Sequence, residues 1–254
     1  MVQAKPEAPR LQHTAGDYDF FFGLHVAIHI ARETFDVYTA APKERRPAVI
    51  FVHGGPIPEG QDPSPRRWPT FIGYGDLAAS AGLAGITFDH RLYQMERYPD
   101  SAEDVAAVVE KVRRNPHVDP DRIALWFFSG GGALAADWLH DRPSWLRAVA
   151  WNYPVLAPPR DWSGDIERFD CTKAVTEAPD LPKLLVRVGD EYSSLANTQD
   201  AFIESARSSS SALEVIDLPA STHGFESLKY DKAARDSVGE AMAWVARMLL
   251  HDDA

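Results

Sequence analysis

Ile123-Ala124-Leu125-Trp126-Phe127-Phe128-Ser129-Gly130-Gly131-Gly132 sets a lone serine between an apolar run and three glycines. The six apolar residues, led in by Asp119-Pro120-Asp121-Arg122, read as a strand buried on both faces, as parallel sheets require. Beyond the glycines, Ala133, Leu134, Ala135, Ala136, Trp138 and Leu139 favour helix. A strand-to-helix reversal about one residue long would put Ser129 at the tip of a tight turn, its Oγ exposed and amide N–H groups aimed at the same space. A nucleophile belongs at such a point. The competing reading is a serine that only caps the helix, a position serine favours. Phe127 departs from the usual pattern, because the position two before such a serine normally holds a small side chain.

Working outward, strand-like and helix-like segments alternate. His25 to Ile30 and Thr34 to Tyr38 read as an opening antiparallel hairpin. Pro47 to His53, Ala84 to Phe88, Leu146 to Tyr153, Lys183 to Val188 and Leu213 to Leu218 read as further strands, the last ending at a Pro219-Ala220-Ser221 turn. Helices are predicted over Phe71 to Ala81, Ser101 to Arg114, Leu195 to Arg207 and Asp231 to Leu250. The second of these carries Val105, Val108, Val109 and Val112 at helical spacing, with Asp100 and Glu103 arranged as a capping box. Repeated strand-then-helix units call for right-handed crossovers and a mostly parallel central sheet with helices on both faces, an α/β class. Ligands in such sheets bind beyond the carboxyl ends of the strands.

Composition sets outer bounds. The chain has 254 residues, 45% of them hydrophobic and 25% charged, which suits a globular protein with one substantial core. One domain over 1–254 is expected, with residues 1–16 a flexible N-terminal segment. The formal net charge of −11 repels phosphate backbones and anionic membrane surfaces, so neither nucleic acid nor membrane is an expected partner. A lone cysteine, Cys171, excludes an intramolecular disulfide and a cysteine-based zinc site. The N-terminus lacks the apolar core of a signal peptide, and no run of about 18 uncharged apolar residues occurs, so a cytoplasmic location is expected.

Three more constellations fall just past strand ends. His53-Gly54-Gly55-Pro56 follows Val49-Ile50-Phe51-Val52, and its glycines could present the amides of Gly54 and Gly55 to an anion, with Gly130 as the partner donor. Pro56 removes one donor from that loop. Thr222-His223-Gly224-Phe225 lies between the final strand and the last helix, which makes His223 the candidate general base. Gly189-Asp190-Glu191-Tyr192 follows Leu184-Leu185-Val186-Arg187-Val188, and a carboxylate there could accept the Nδ1–H of His223. Asp190 is the first choice and Glu191 the fallback. The chain order Ser129, Asp190, His223 is the order expected of a triad built on an open α/β sheet.

These residues, with Phe88-Asp89-His90-Arg91-Leu92-Tyr93 and His223-Gly224-Phe225, resemble the α/β-hydrolase superfamily from about residue 34 onward. The likeness is greatest to serine esterases of the hormone-sensitive-lipase and dienelactone-hydrolase-like groups. The resemblance implies an α/β-hydrolase fold, with Ser129 as nucleophile, His223 as base, Asp190 as acid and Gly54, Gly55 and Gly130 as oxyanion hole. It implies hydrolysis of carboxylic esters through an acyl-enzyme, with no metal or organic cofactor.

Residues 156–181, where many relatives insert a lid, are short enough to form only a small cap loop. Tyr93, Trp151, Tyr153, Trp162 and Phe225 are candidates for an apolar substrate pocket, with core packing the alternative role for at least half of them. The expected partner is a small-molecule ester, and self-association into a homo-oligomer stays open. Two other functions compete: a peptidase of the same fold, and a non-catalytic binding protein, the latter favoured by Phe127 and Pro56.

Overall fold

The computed structural model describes residues 27–159, 161–227 and 231–251. Residues 1–16 and the first two residues of the expected His25 to Ile30 strand lie outside that range. Among the described residues eight strands form one sheet. The opening hairpin pairs β1 (Ile28–Ala31) with β2 (Phe35–Thr39), and β2 runs antiparallel to β4 (Ala84–Phe88). The other strands are β3 (Arg46–Val52), β5 (Val118–Phe128), β6 (Leu146–Asn152), β7 (Lys183–Asp190) and β8 (Leu213–Thr222). From β4 to β8 all neighbours are parallel, in the spatial order β1-β2-β4-β3-β5-β6-β7-β8.

Side chains alternate across each strand, so the all-apolar strands feed two cores. Ile50, Val52, Leu125, Phe127, Val149, Trp151 and Leu185 pack under α2 (Tyr98–Arg113) and α5 (Ser193–Ser208). On the opposite face Val49, Phe51, Trp126, Phe128 and Val186 pack under α1 (Pro69–Ser80) and α6 (Lys232–Leu250). Ala124, Ala148 and Ala150 on that second face leave space for the large rings beside them.

Three local expectations are corrected. The Asp100–Glu103 capping box does not form, because α2 starts earlier, at Tyr98, with Pro99 in its first turn, where a missing N–H costs nothing. Asp100 instead ion-pairs with Arg97 at 2.9 Å, and Asp104 takes the Arg91 Nε–H at 2.8 Å. The helix after Ser129 is 3-10 from Ser129 to Ala135 and α-helical only over α3 (Ala136–Asp141). Pro219, Ala220 and Ser221 are the end of β8 and not a turn.

The described residues of 156–181 hold one helical turn, α4 (Cys171–Ala174), and a 3-10 turn. Their aromatics fold inward: Trp162 and Phe169 pack on Tyr98 at 5.7 and 5.4 Å between ring centres.

Candidate active site

Ser129 is the residue at which β5 reverses. Its φ is +47°, a left-handed backbone that costs a non-glycine residue about 1–3 kcal/mol and persists only where the surroundings impose it. Glycines impose it here. A Cβ at Gly130 would lie 2.0 Å from the Gly55 carbonyl oxygen, and one at Gly131 would lie 2.3 Å from that of His53. One at Gly132 would lie 2.5 Å from the Val155 carbonyl. The triplet therefore lets the turn press against the loop after β3 on one side and the chain after β6 on the other.

Phe127 does not obstruct this turn. Strand alternation sends its ring into the core layer beneath α2 and α5, where it is fully buried and stacks on Trp151 at 6.3 Å.

The loop after β3 is held by a pair of buried histidines. His53 Nε2 accepts the His90 backbone N–H at 3.2 Å, so its proton is on Nδ1, which donates to the Gly54 carbonyl at 2.6 Å. His90 Nε2 in turn donates to the His53 carbonyl at 3.0 Å, and the two rings stack 3.7 Å apart, 7° from parallel. Burial lowers His53 to about 4 and His90 well below its ordinary value, so both are neutral at pH 7.

Fixing the Gly54 carbonyl also fixes the Gly55 N–H, which points the opposite way across the same trans peptide. The peptide that carries the Gly130 N–H is held through the Ser129 carbonyl, which accepts the Val155 N–H at 2.9 Å, and the Tyr98 hydroxyl donates to the Gly130 carbonyl of the following peptide at 2.6 Å. Gly54 itself lies so near the serine that a Cβ there would be 2.9 Å from Ser129 Cβ. Among the described residues no backbone carbonyl accepts from the amides of Gly54, Gly55 or Gly130. Pro56 is exposed, and the chain beyond it leaves along Leu92, whose carbonyl takes the Ile57 N–H at 2.9 Å.

Ser129 Oγ lies 2.7 Å from His223 Nε2. On the far side of the imidazole the structure corrects the first choice of carboxylate. Glu191, not Asp190, meets Nδ1, at 2.9 Å through Oε1 and 3.1 Å through Oε2. The cause is a break in the β7–β8 register between Val188 and Asp190. Gly189 there passes so close to Pro219 that a Cβ would lie 2.2 Å from its carbonyl oxygen. Asp190 then continues the ladder opposite Thr222 and faces solvent, its carbonyl accepting the Thr222 hydroxyl at 3.2 Å.

Glu191, the first residue off the strand, folds back with its side chain only 2% exposed. The Tyr192 amide donates to it at 2.8 Å and Gln199 Nε2 at 3.4 Å. A carboxylate only accepts, so Nδ1 carries the imidazole proton and Nε2 is left to accept from the serine hydroxyl.

The aromatic candidates disperse. Trp151 is a correction: it is fully buried between Phe127 and Phe202, its indole N–H on the Gly132 carbonyl at 3.2 Å, so it supports the turn from inside and cannot line a pocket. Trp162 packs on Tyr98 and Phe169 beneath the cap loop. Phe225 is buried against Tyr153 at 5.5 Å. Tyr153 is also buried, with its ring 4.7 Å from the His223 ring, and Tyr93 is half-buried beside Arg91. Sequence reasoning did not single out Tyr192, 52% exposed with its ring centre 5.5 Å from that of His223, nor the buried Glu226 described below. A single exposed tyrosine after an acidic pair carries no pattern that would have flagged it.

Among the described residues no three His, Cys, Asp or Glu side chains are grouped to hold a metal ion, and no helix is long and apolar enough to cross a membrane.

The BD-FAE family model matches residues 35–137, the span that carries the β3 loop and the Ser129 turn. Solved structures match over most of the chain. A thermostable esterase from Pseudomonas putida aligns with a TM-score of 0.73 at 16% identity, covering 93% of this chain and 88% of its own. The fold is that of the α/β-hydrolases. A thermophilic carboxylesterase cloned from a metagenomic library shares this α/β-hydrolase architecture with a TM-score of 0.65 at 21% identity, covering 88% of each chain. Esterase 2 of Thermogutta terrifontis, solved phosphoramylated by tabun, does so with a TM-score of 0.65 at 18% identity, covering 89% of this chain and 96% of its own. No curated protein matches the chain in sequence. Ser129 occupies the turn after β5 and His223 the loop after β8.

Proposed function

We propose that this protein is a serine hydrolase of the carboxylesterase kind, acting on small, uncharged or weakly polar esters. One observation carries the reading: the unbroken hydrogen-bonded line Ser129 Oγ, His223 Nε2, His223 Nδ1, Glu191 carboxylate. The esterases that share the fold support the reaction class.

In this mechanism Ser129 Oγ attacks the ester carbonyl carbon while its proton passes to His223 Nε2. The carbonyl π pair moves onto oxygen, and the N–H groups of Gly54, Gly55 and Gly130 receive that oxyanion. Collapse breaks the C–O bond to the alcohol, which leaves with the proton from His223. Water repeats the sequence on the acyl-enzyme and frees the acid. Glu191 holds the tautomer and stabilises the imidazolium formed in each half, without taking its proton. The stacked neutral pair His53 and His90 keeps the Gly54–Gly55 peptide oriented, so the missing donor at Pro56 leaves the two glycine amides in service. The −11 net charge favours uncharged esters over anionic ones, and the single buried cysteine suits a reducing, cytoplasmic setting.

The test is hydrolysis of p-nitrophenyl acetate and butyrate by the native protein and Ser129→Ala, with fluorophosphonate labelling of each. Turnover and labelling in the native protein alone are expected. Equal rates in the two proteins, with no label on Ser129, would sink the proposal.

A further inference from the structure

Three residues past His223, Glu226 is 2% exposed and has no cation ion-paired to it among the described residues. Its Oε1 accepts from the Tyr74 hydroxyl at 2.7 Å and from Asn152 Nδ2 at 2.9 Å, and its Oε2 accepts from the Tyr153 hydroxyl at 2.6 Å. The same Asn152 amide also donates to the Tyr74 oxygen at 2.7 Å, and Asn152 Oδ1 accepts the Trp126 indole N–H at 3.0 Å.

These donors converge on the carboxylate from α1 (Tyr74), from the end of β6 (Asn152) and from the residue after it (Tyr153). An ionised carboxylate accepts all three of these hydrogen bonds as they stand. The cluster fits the ionised form. Burial pushes the Glu226 carboxyl above its ordinary value, and the bonds from Tyr153, Tyr74 and Asn152 oppose that push.

Tyr153 links this buried anion to the histidine. Its φ is +37°, and its ring rests 4.7 Å from the His223 ring and 5.5 Å from Phe225. The hydroxyl of the same ring ends on Glu226. Residues 223–226 and Tyr153 thus close a loop in which Glu226 clamps the segment bearing His223 to the body of the sheet. A Thr70–Ser227 hydroxyl pair at 3.0 Å adds a tie to α1. Among the described residues the titratable groups facing Glu226 are Tyr74, from α1, and Tyr153, after β6. Across Tyr153 stand His223 and Glu191.

We propose that Glu226 is a positioning residue for His223, holding the imidazole in line with Ser129 through Tyr153. The inference rests on His223 being the general base.

The experiment compares native protein, Glu226→Gln and Tyr153→Phe on p-nitrophenyl butyrate across pH, with near-UV circular dichroism to verify packing. Both variants are expected to keep KM and lose kcat by about tenfold to a hundredfold, the scale on which a small misplacement of a catalytic group acts. Loss of a merely structural group would lower Tm and leave kcat of the folded protein unchanged.

If Glu226→Gln fails to fold, Tyr153→Phe decides, since it deletes one oxygen and keeps the ring beside His223. A folded variant with native kcat overturns the proposal. Native protein inactive in the same assay would instead count against the esterase reading itself, which separates the two failures.

Discussion

Glu191 meets His223 with both carboxylate oxygens, 2.9 and 3.1 Å from Nδ1, while its neighbour Asp190 faces solvent. Two adjacent acidic residues are thereby given separate tasks. Glu191→Gln keeps the shape but can present a donor to Nδ1, inviting the wrong tautomer. A loss of roughly 10⁴ in kcat is expected, whereas Asp190→Asn should stay within a few-fold of native. Steady-state kinetics on a p-nitrophenyl ester distinguishes them, and the opposite ranking would return the role to Asp190.

Phe127 invites a second substitution. Were its ring crowding the turn, trimming it would help activity. Fully buried and stacked on Trp151, it should instead leave a cavity, so Phe127→Ala is expected to cost about 3–5 kcal/mol of stability. Urea unfolding measures this. A variant as stable as native and more active would contradict the packing described.

The glycines after the serine are expected to be less forgiving than those elsewhere. At Gly130 a methyl would lie 2.0 Å from the Gly55 carbonyl oxygen, a backbone atom that cannot rotate away. Gly130→Ala should therefore displace the donor loop and cut kcat more than KM, while Gly239→Ala, in open space on α6, should be neutral or stabilising.

Acid should destabilise the protein through His53. Its folded value of about 4 lies below the ordinary 6.5 of the unfolded chain, so the folded state binds fewer protons between them. The stability gained by keeping the ring neutral is whole above about pH 6.5 and is lost as pH falls toward 4, an effect of about 3 kcal/mol. His90 acts in the same direction. Tm measured from pH 7 to pH 4.5 should fall, and His53→Asn should lower Tm at pH 7 yet flatten the slope. An unchanged slope would remove His53 as the cause.

The parts of this architecture carried by local pattern were legible in the chain. Continuous apolar runs such as Ile123 to Phe128 mark strands covered on both faces, and Val105, Val108, Val109 and Val112 mark the buried side of α2. Glycines and a serine past a strand end likewise announce a sharp turn. What escaped depends on contacts distant in sequence. The choice of Glu191 over Asp190 follows from how Gly189 passes Pro219, a relation between residues of neighbouring strands. The burial of Trp151 depends on which face of β6 meets α5. Asp100 looked like a cap until Arg97 claimed it. Glu226 has no sequence signature at all, since only the fold brings Tyr74, Asn152 and Tyr153 around it.

The interlocking of the 53–55 loop with the 129–132 turn joins the two halves of the proposed catalytic apparatus. Each is the continuation of a central strand, and β3 and β5 are direct partners with Val52 opposite Phe127. On the proposed mechanism, catalytic competence is therefore a property of the paired sheet centre and not of a detachable surface loop. On heating, esterase activity and the near-UV signal of the buried tryptophans should vanish together in one transition, with no inactive yet fully packed species in between.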